Sequence, residues 1–242
     1  MKIQYRPVFK DGEFKRNKMN YLLPNEEGKI IVYTYIRKNA CSAFKLLMLE
    51  RSRQQEGSEI EKMRAFRAPQ HLKQWDHSVF VYRDPFERAV SVFQNKFLDK
   101  SGNGDISYSF EARTGKDPHT ATFRDFVTYI KAPFEELDPH VWPQKSHLLE
   151  IDYTLPIDMN DLTNVILKEF PSLSKFFQNK VNESRERADI LGDLCDVPAN
   201  QISSYNKKNF EALRPTLEDL YSSDMEMISE VKRQTSRQNS CK

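Results

Sequence analysis

Short apolar runs that alternate with amphipathic segments mark the first part of the chain. Residues 29–36 (Lys-Ile-Ile-Val-Tyr-Thr-Tyr-Ile) and 78–82 (Ser-Val-Phe-Val-Tyr) are β-branched and aromatic, which predicts buried strands. Each run precedes a helical pattern, at residues 42–53 and at residues 85–97. The second pattern places its apolar residues on one helical stripe, namely Phe86, Val90, Phe93 and Phe97. Repeated strand–loop–helix units predict an α/β fold with a central, mostly parallel sheet flanked by helices.

The rest of the chain is predicted to be mainly helical. The predicted helices are 122–131, 159–169 and 215 to about 232. A further short strand is predicted at 147–154. Residues 101–104 (Ser-Gly-Asn-Gly) break the preceding helical pattern, which predicts a loop over 99–120. We expect one domain over residues 1–242, with an N-terminal arm at 1–28 and a frayed tail at 233–242.

Length and charge limit the possible functions. The chain has 242 residues, which fits one α/β domain with a sizeable core. Its 37 Lys and Arg residues nearly balance its 35 Asp and Glu residues, for a net charge of +2. A nucleic-acid-binding domain usually has a strong basic excess, so we expect no nucleic-acid partner. A small anionic ligand needs only a local cationic pocket, which this balance allows.

The cysteines and the apolar runs bear on the cellular compartment. Cys41, Cys195 and Cys241 form no Cys-x-x-Cys pair, which argues against a disulfide framework and a structural zinc site. The N-terminal residues lack the apolar core of a secretory signal. The longest apolar run, about residues 30–36, is far shorter than the roughly 20 residues that span a bilayer. We therefore expect a cytoplasmic protein without membrane insertion.

A candidate anion site lies where the first strand turns into its helix, in residues 35–45 (Tyr-Ile-Arg-Lys-Asn-Ala-Cys-Ser-Ala-Phe-Lys). A helix N-terminus offers unpaired N–H groups and a positive dipole end, which suit phosphate or sulfate. Lys38 adds a mobile charge and Ser42 a hydroxyl. The segment has no glycine, so it does not match the P-loop pattern of ATP-binding proteins. A plain turn with a surface lysine is the alternative.

A second candidate lies at the end of the second strand. Arg83 follows that strand, and Ser91 lies in the next helix, off its apolar stripe. Ligands of open α/β sheets bind at the carboxyl ends of strands, and an arginine with a hydroxyl suits a terminal phosphate. The alternative is an arginine paired with a surface carboxylate and a solvated serine.

Five segments, in order from about residue 30 to 230, resemble the sulfotransferases that use 3'-phosphoadenosine-5'-phosphosulfate (PAPS). The resemblance is to the carbohydrate (Golgi-type, chondroitin-like) branch, sulfotransferase family 2. Residues 37–45 resemble its 5'-phosphosulfate loop, and residues 80–97 resemble its 3'-phosphate segment. Residues 138–144 (Asp-Pro-His-Val-Trp-Pro-Gln) are similar to its His-Trp-x-Pro-Gln element, with one residue inserted. Residues 182–184 and 220–227 resemble its C-terminal signatures.

The chain departs from the family pattern at a few positions. Arg37 stands where the family usually has proline, and Phe44 stands where it has tryptophan. The cysteines that often flank the His-Trp element in Golgi members are missing, as is a membrane anchor, which agrees with a cytoplasmic location.

The resemblance implies a P-loop-kinase-like three-layer fold and sulfuryl transfer from PAPS, with adenosine 3',5'-bisphosphate as the product and without a metal. Lys38 would neutralise the leaving group, and Arg83 and Ser91 would hold the 3'-phosphate. The implied cofactor-binding residues are Arg37, Lys38, Asn39, Ala40, Cys41, Ser42, Ala43, Arg83 and Ser91. The implied acceptor is a hydroxyl of a carbohydrate or glycoconjugate.

The acceptor hydroxyl needs a general base, and histidine suits neutral pH. His140 ranks first because it lies in the family-like element, beside Trp142 and Gln144. His71 ranks second because several sulfotransferases place their base between the two cofactor segments. A purely structural histidine and a glutamate base are the alternatives. Residues 99–120 are either an acceptor-site loop or a solvated one.

Two other functions fit parts of the pattern. A P-loop nucleoside or sugar kinase would share the sheet and the anion loop, but the missing glycines and the pair Arg83 and Ser91 argue against it. The second alternative is a non-catalytic protein that binds PAPS or a nucleotide. The retained Lys38 and a candidate base argue against that function.

Overall fold

The computed structural model describes residues 7–10, 13–16, 19–54, 56–69, 71–99, 105–178 and 192–240. Its strands are β1 (Pro7–Lys10), β2 (Glu13–Arg16), β3 (Asn20–Leu22), β4 (Ile31–Thr34), β5 (His77–Tyr82) and β6 (Leu155–Asp158). Its α-helices are α1 (Cys41–Arg51), α2 (Glu59–Arg64), α3 (Pro85–Phe93), α4 (Asp105–Thr114), α5 (Phe123–Ile130), α6 (Gln144–His147), α7 (Leu162–Glu169), α8 (Arg214–Leu220) and α9 (Ser222–Ser240). Helix α3 continues as a π-helical turn at Gln94–Leu98. None of the helices in these ranges is long and apolar enough to cross a membrane.

The chain divides into two compact units. The first comprises Met1–Arg83 and Ser146–Val181. The second comprises Asp84–Lys145 and Asn182–Lys242. The sequence-based expectation of a single domain stays a prediction.

The first unit is built on a four-stranded sheet in the order β3-β4-β5-β6. Strands β4, β5 and β6 are parallel neighbours, and β3 pairs antiparallel with β4. Tyr33 and Val79 are fully buried in adjacent strands, as expected for a sheet that is covered on both faces. Helix α1 packs on the sheet by stacking Phe44 on Tyr33, with 3.9 Å between ring centroids. The predicted mixed α/β fold with helices flanking a mostly parallel sheet is confirmed.

The second unit is helical and has an aromatic core. The apolar stripe predicted for α3 is buried, with Phe93 stacked on Phe97 at 5.2 Å and packed on Phe123 at the same distance. The start of α3 also follows the predicted rules. Asp84 caps the helix by accepting a hydrogen bond from the Glu87 N–H at 2.9 Å, and Pro85 occupies the first turn.

Two predicted irregular regions are wrong because their sequences bury an apolar face. The predicted loop over 99–120 contains helix α4, which buries Ile106 and Phe110 one turn apart. The predicted frayed tail at 233–242 is helical as far as Ser240. Met227 and Val231 bury one face of that helix, and its sequence contains no glycine or proline to stop it.

Strand predictions failed at both edges of the sheet. The predicted strand at 147–154 is not in the ladder, which begins at Leu155, opposite Val79. Residues before that point are tied to β5 through Ser78, whose hydroxyl donates to the Asp152 carbonyl oxygen at 2.8 Å. The predicted N-terminal arm at 1–28 is also partly wrong. Strand β3 lies within it, and Tyr21 is buried against the sheet.

Candidate functional site

The first candidate site lies at one edge of the sheet in the first unit. The loop between Thr34 and Cys41 follows β4, and Arg83 follows β5. Because β4 and β5 are parallel neighbours, their carboxyl ends meet at the same edge. The loop after β4 and the segment that starts at Arg83, both predicted to bind anions, therefore begin next to each other.

The backbone of the loop adopts an unusual conformation. Lys38 has φ of 69° and Ala40 has φ of 56°, both in the left-handed region that non-glycine residues rarely occupy. Each such residue costs on the order of 1 kcal/mol, and such strain clusters at ligand-binding sites. The loop is therefore held in a shape that local propensity does not favour.

Asn39, between the two strained residues, anchors the loop to the sheet. Its side chain is buried, and Nδ2 donates to the Val81 carbonyl oxygen at 2.8 Å. That carbonyl lies in β5, two residues before Arg83. The hydrogen bond fixes the distance between the loop and the end of β5, and it assigns a structural task to a residue predicted to bind the cofactor.

Helix α1 presents its N-terminus at the end of this loop. No side chain among the described residues caps that terminus, and its first turn contains no acidic residue. Cys41 and Ser42 are half-buried there, as is Lys38 in the loop. A positive helix end with a lysine nearby and no competing carboxylate in the turn suits a sulfate or phosphate group.

Tyrosines line the sheet next to the loop. Burial raises the pKa of Tyr35 well above its usual value, and its hydrogen-bonded neighbour Cys41 raises it further. Burial, followed by the charges of Asp158 and Asp161, raises the pKa of Tyr82 to about 12. Both hydroxyls therefore stay neutral at physiological pH and act only through hydrogen bonds.

Ser91, the partner predicted for Arg83, belongs to helix α3 in the second unit. It is half-buried, while Val90 and Val92 on either side are buried. The helix therefore keeps this hydroxyl off its apolar stripe, as the helical period predicted.

His140, the first-ranked base, lies in a tight turn of the second unit. Its ring Nδ1 is 2.5 Å from Asp138 Oδ1, and its backbone N–H donates to the same oxygen at 2.8 Å. The Asp138 side chain is 3% exposed and the His140 side chain 18% exposed. The imidazole is thus tied to a buried carboxylate while its own surface stays partly open.

A buried arginine holds the backbone of this turn. Arg88 of helix α3 is 2% exposed and donates to the Trp142 carbonyl oxygen at 2.7 Å and to the His140 carbonyl oxygen at 3.1 Å. Tyr221 donates its hydroxyl to the Val141 carbonyl oxygen at 2.6 Å. Three consecutive carbonyl groups are therefore fixed by side chains from α3 and the C-terminal region.

Comparison with known proteins identifies the family. A model of the sulfotransferase family matches residues 25–228. The chain belongs to the sulfotransferase family. Within it, the match is to the family of carbohydrate sulfotransferases, as the sequence resemblance predicted. No curated protein and no solved structure gives a significant match.

The other predicted residues of this sulfotransferase are spread over the two units. His71, the second-ranked base, is exposed in the first unit. In residues 99–120, for which the sequence left an acceptor site and a solvated segment as alternatives, Arg113 pairs with Glu136 and Lys116 with Asp125, each at 2.6 Å. Residues 182–184 lie outside the described residues. No group of three or more His, Cys, Asp or Glu side chains placed to hold a metal occurs in the described ranges.

The C-terminal signature of the sulfotransferase has a structural role that sequence reasoning missed. Asp224 is fully buried and accepts hydrogen bonds from the N–H groups of Gln144 and Lys145, at 2.8 and 2.9 Å, and from Gln144 Nε2 at 3.2 Å. It thereby caps α6 and holds the segment that follows His140. The sequence offered one hint of this contact, since residues 138–144 and residues 220–227 both resemble motifs of the family.

Replacing Asp224 with alanine is expected to lower the free energy of unfolding by about 2–4 kcal/mol, because buried donors lose their acceptor. Urea denaturation measures the loss. Asp219→Ala, at an exposed position of α8, is the matched control and is expected to change little. An equal loss in both variants would contradict the capping role.

The same carboxyl makes this stability depend on pH. Burial raises the Asp224 pKa above its usual value, against the opposing effects of Arg88 and of the N–H groups that it accepts. Since the folded protein retains a proton that the unfolded chain has already lost, this titration favours folding below the ordinary carboxyl pKa. The contribution disappears as pH rises through the folded pKa. The difference between wild type and Asp224→Ala is therefore expected to be larger at acidic pH than at neutral pH.

Proposed function

We propose that this sulfotransferase moves a sulfuryl group from PAPS to a hydroxyl of a carbohydrate or glycoconjugate. The observation that carries the proposal is the strained, glycine-free loop that contains Lys38 and runs directly into the N-terminus of α1. A nucleotide kinase would need glycines to wrap a triphosphate. The shape of this loop instead suits one small anionic group against the helix end.

The donor would be held by the residues that the family resemblance implies. The N–H groups of residues 39–43 and the Ser42 hydroxyl would bind the 5'-phosphosulfate. Arg83 would bind the 3'-phosphate as a planar, multidentate cation, with Ser91 as the hydroxyl partner. A 3'-phosphate distinguishes PAPS from ATP, so these two residues would determine donor specificity.

Sulfuryl transfer is an in-line displacement at sulfur. The acceptor oxygen attacks, the bond between sulfur and the bridging oxygen breaks, and adenosine 3',5'-bisphosphate leaves. Negative charge grows on the bridging oxygen, where the ammonium group of Lys38 would neutralise it. His140 would take the proton of the acceptor hydroxyl. The protein's contribution would be to position these groups and to stabilise the charge.

The carbohydrate acceptor rests on the family match. Carbohydrates present many hydroxyls of similar reactivity, so selection among them requires contacts outside the reacting atoms. Helix α4, within the segment for which an acceptor site was one of two alternatives, exposes Tyr108. Exposed aromatic side chains provide apolar surface with a polar end, which suits a sugar ring.

Incubation with 35S-labelled PAPS and a panel of polysaccharides, oligosaccharides and small alcohols tests the proposal. We expect label to move to at least one carbohydrate in the wild type, and to move at least about a hundredfold more slowly in Lys38→Ala. Transfer of phosphate from ATP to a sugar, without any transfer of label from PAPS, would identify a kinase instead. Binding of PAPS without turnover on any acceptor would favour a non-catalytic protein.

A further inference from the structure

A buried carboxylate in the second unit is placed to act on His140. We propose that Asp138 is a positioning residue that keeps the proton of neutral His140 on Nδ1 and stabilises the imidazolium. The inference rests on the proposed function for its role in transfer. The state of the His140 ring can be measured without that function.

The local sequence brings the Asp138 carboxylate to His140. Asp138 Oδ1 lies within hydrogen-bond distance of both the backbone N–H and the ring Nδ1 of His140. The residue between them, Pro139, has no N–H group with which to compete. Because the Asp138 side chain is almost completely buried, water competes little for this oxygen. The order Asp-Pro-His thus produces a carboxylate–imidazole pair.

The surrounding contacts hold both partners in place. The Asp138 backbone N–H donates to the Tyr129 hydroxyl at 3.2 Å, and that hydroxyl is 2.8 Å from the Ser109 hydroxyl of α4. The Arg88 guanidinium binds the His140 carbonyl oxygen. Side chains of α3, α4 and α5 therefore hold Asp138 and His140 in place.

The charges around the ring have opposite effects on its pKa. The Asp138 carboxylate favours the imidazolium, and the Arg88 cation disfavours it. Asp138 contacts the ring itself at 2.5 Å, whereas Arg88 contacts the main-chain carbonyl oxygen of His140 at 3.1 Å. Tyr129 adds no charge at neutral pH, since burial is the first of several effects that leave its pKa above the usual value. The carboxylate is therefore expected to dominate and to raise the pKa of His140.

The hydrogen bond between Asp138 and Nδ1 of His140 determines which ring nitrogen acts as the base. A neutral imidazole with its proton on Nδ1 carries its lone pair on Nε2. As the acceptor oxygen bonds to sulfur and the bond to the bridging oxygen breaks, the hydroxyl proton moves to Nε2. The ring then carries a positive charge next to the Asp138 carboxylate. Asp138 neither touches the substrate nor takes the proton.

NMR of the whole 242-residue chain with 13C,15N-labelled histidine tests the proposal without donor or acceptor. His140→Gln assigns the His140 signals. In the wild type we expect the neutral ring to be protonated on Nδ1 and its pKa to lie above about 6.5, the value of free histidine. In Asp138→Asn we expect that pKa to fall by about one unit or more. Asp219→Asn is the exposed control and should leave it unchanged.

A residue that merely shapes the turn would leave the ring titration as it is. The proposal is overturned if neutral His140 carries its proton on Nε2 in the wild type, or if its pKa does not change in Asp138→Asn. The wild-type tautomer decides the matter even if the variant does not fold. Absence of sulfuryl transfer would count against the proposed function and would leave these ring measurements standing.

Discussion

Lys38→Ala is expected to lower the rate constant for sulfuryl transfer by about a hundredfold to a thousandfold, the usual cost of removing one group that stabilises transition-state charge. The KM for PAPS is expected to change much less, because the charge on the bridging oxygen grows only as the bond to sulfur breaks. Alanine carries a similar left-handed backbone penalty, so the loop geometry at φ of 69° is not relieved by the change. Steady-state kinetics with 35S-labelled PAPS and an acceptor from the screen measure both parameters.

Lys168→Ala provides the control for lost positive charge. Lys168 is exposed on helix α7, in the same unit as Lys38. Its replacement is expected to leave both parameters unchanged. A large rise in KM with an unchanged kcat in Lys38→Ala would mean that Lys38 binds the donor in its ground state and does not assist departure.

The second large effect is expected at the base. His140→Gln should lower kcat by about a hundredfold to ten-thousandfold, the range for loss of a general base. The rate of the wild type should rise with pH as His140 loses its proton, and this dependence should vanish in the variant. Initial rates between about pH 4.5 and pH 8.5 measure both effects, because this range spans about two units on each side of the ordinary histidine pKa of about 6.5.

Variants of two other histidines test whether the loss of activity is specific to His140 as the general base. His119→Gln removes an exposed histidine of the second unit and should leave the rate unchanged. His71→Gln tests the second-ranked base in the first unit. Strong inactivation by His71→Gln with little effect of His140→Gln would reverse the assignment of the base.

Strands β4 and β5 and helix α3 could be predicted because their signals are local. Strands β4 and β5 are short apolar runs, and helix α3 carries a cap, a first-turn proline and a regular stripe. The edge strands β3 and β6 could not be predicted in the same way. Their bounds depend on partners far along the chain, such as Val79 for Leu155. Long-range pairing of this kind leaves little trace in a local pattern.

The residues that support the site were harder to predict than those that form it. Arg88 looks like a surface residue in the helical pattern, but it is buried and binds two carbonyl oxygens. Asp224 looks like an ordinary helix-start acid, but it caps α6 from about 80 residues away. A charged side chain is buried only where hydrogen-bonding partners compensate for its lost hydration. The spacing of residues in the sequence does not show which partners Arg88 and Asp224 have, so their burial could not be predicted.

We propose that the edge of the sheet binds a nucleotide with a 3'-phosphate. Isothermal titration calorimetry of adenosine 3',5'-bisphosphate and of AMP, each without added metal, tests this proposal. Arg83→Ala removes the proposed contact, and Arg53→Ala at an exposed position is the control. We predict tighter binding of the bisphosphate than of AMP, with affinity about tenfold to a hundredfold lower in Arg83→Ala and unchanged in Arg53→Ala. Equal binding of both nucleotides, or Mg²⁺-dependent binding of ATP in preference to the bisphosphate, would contradict the claim.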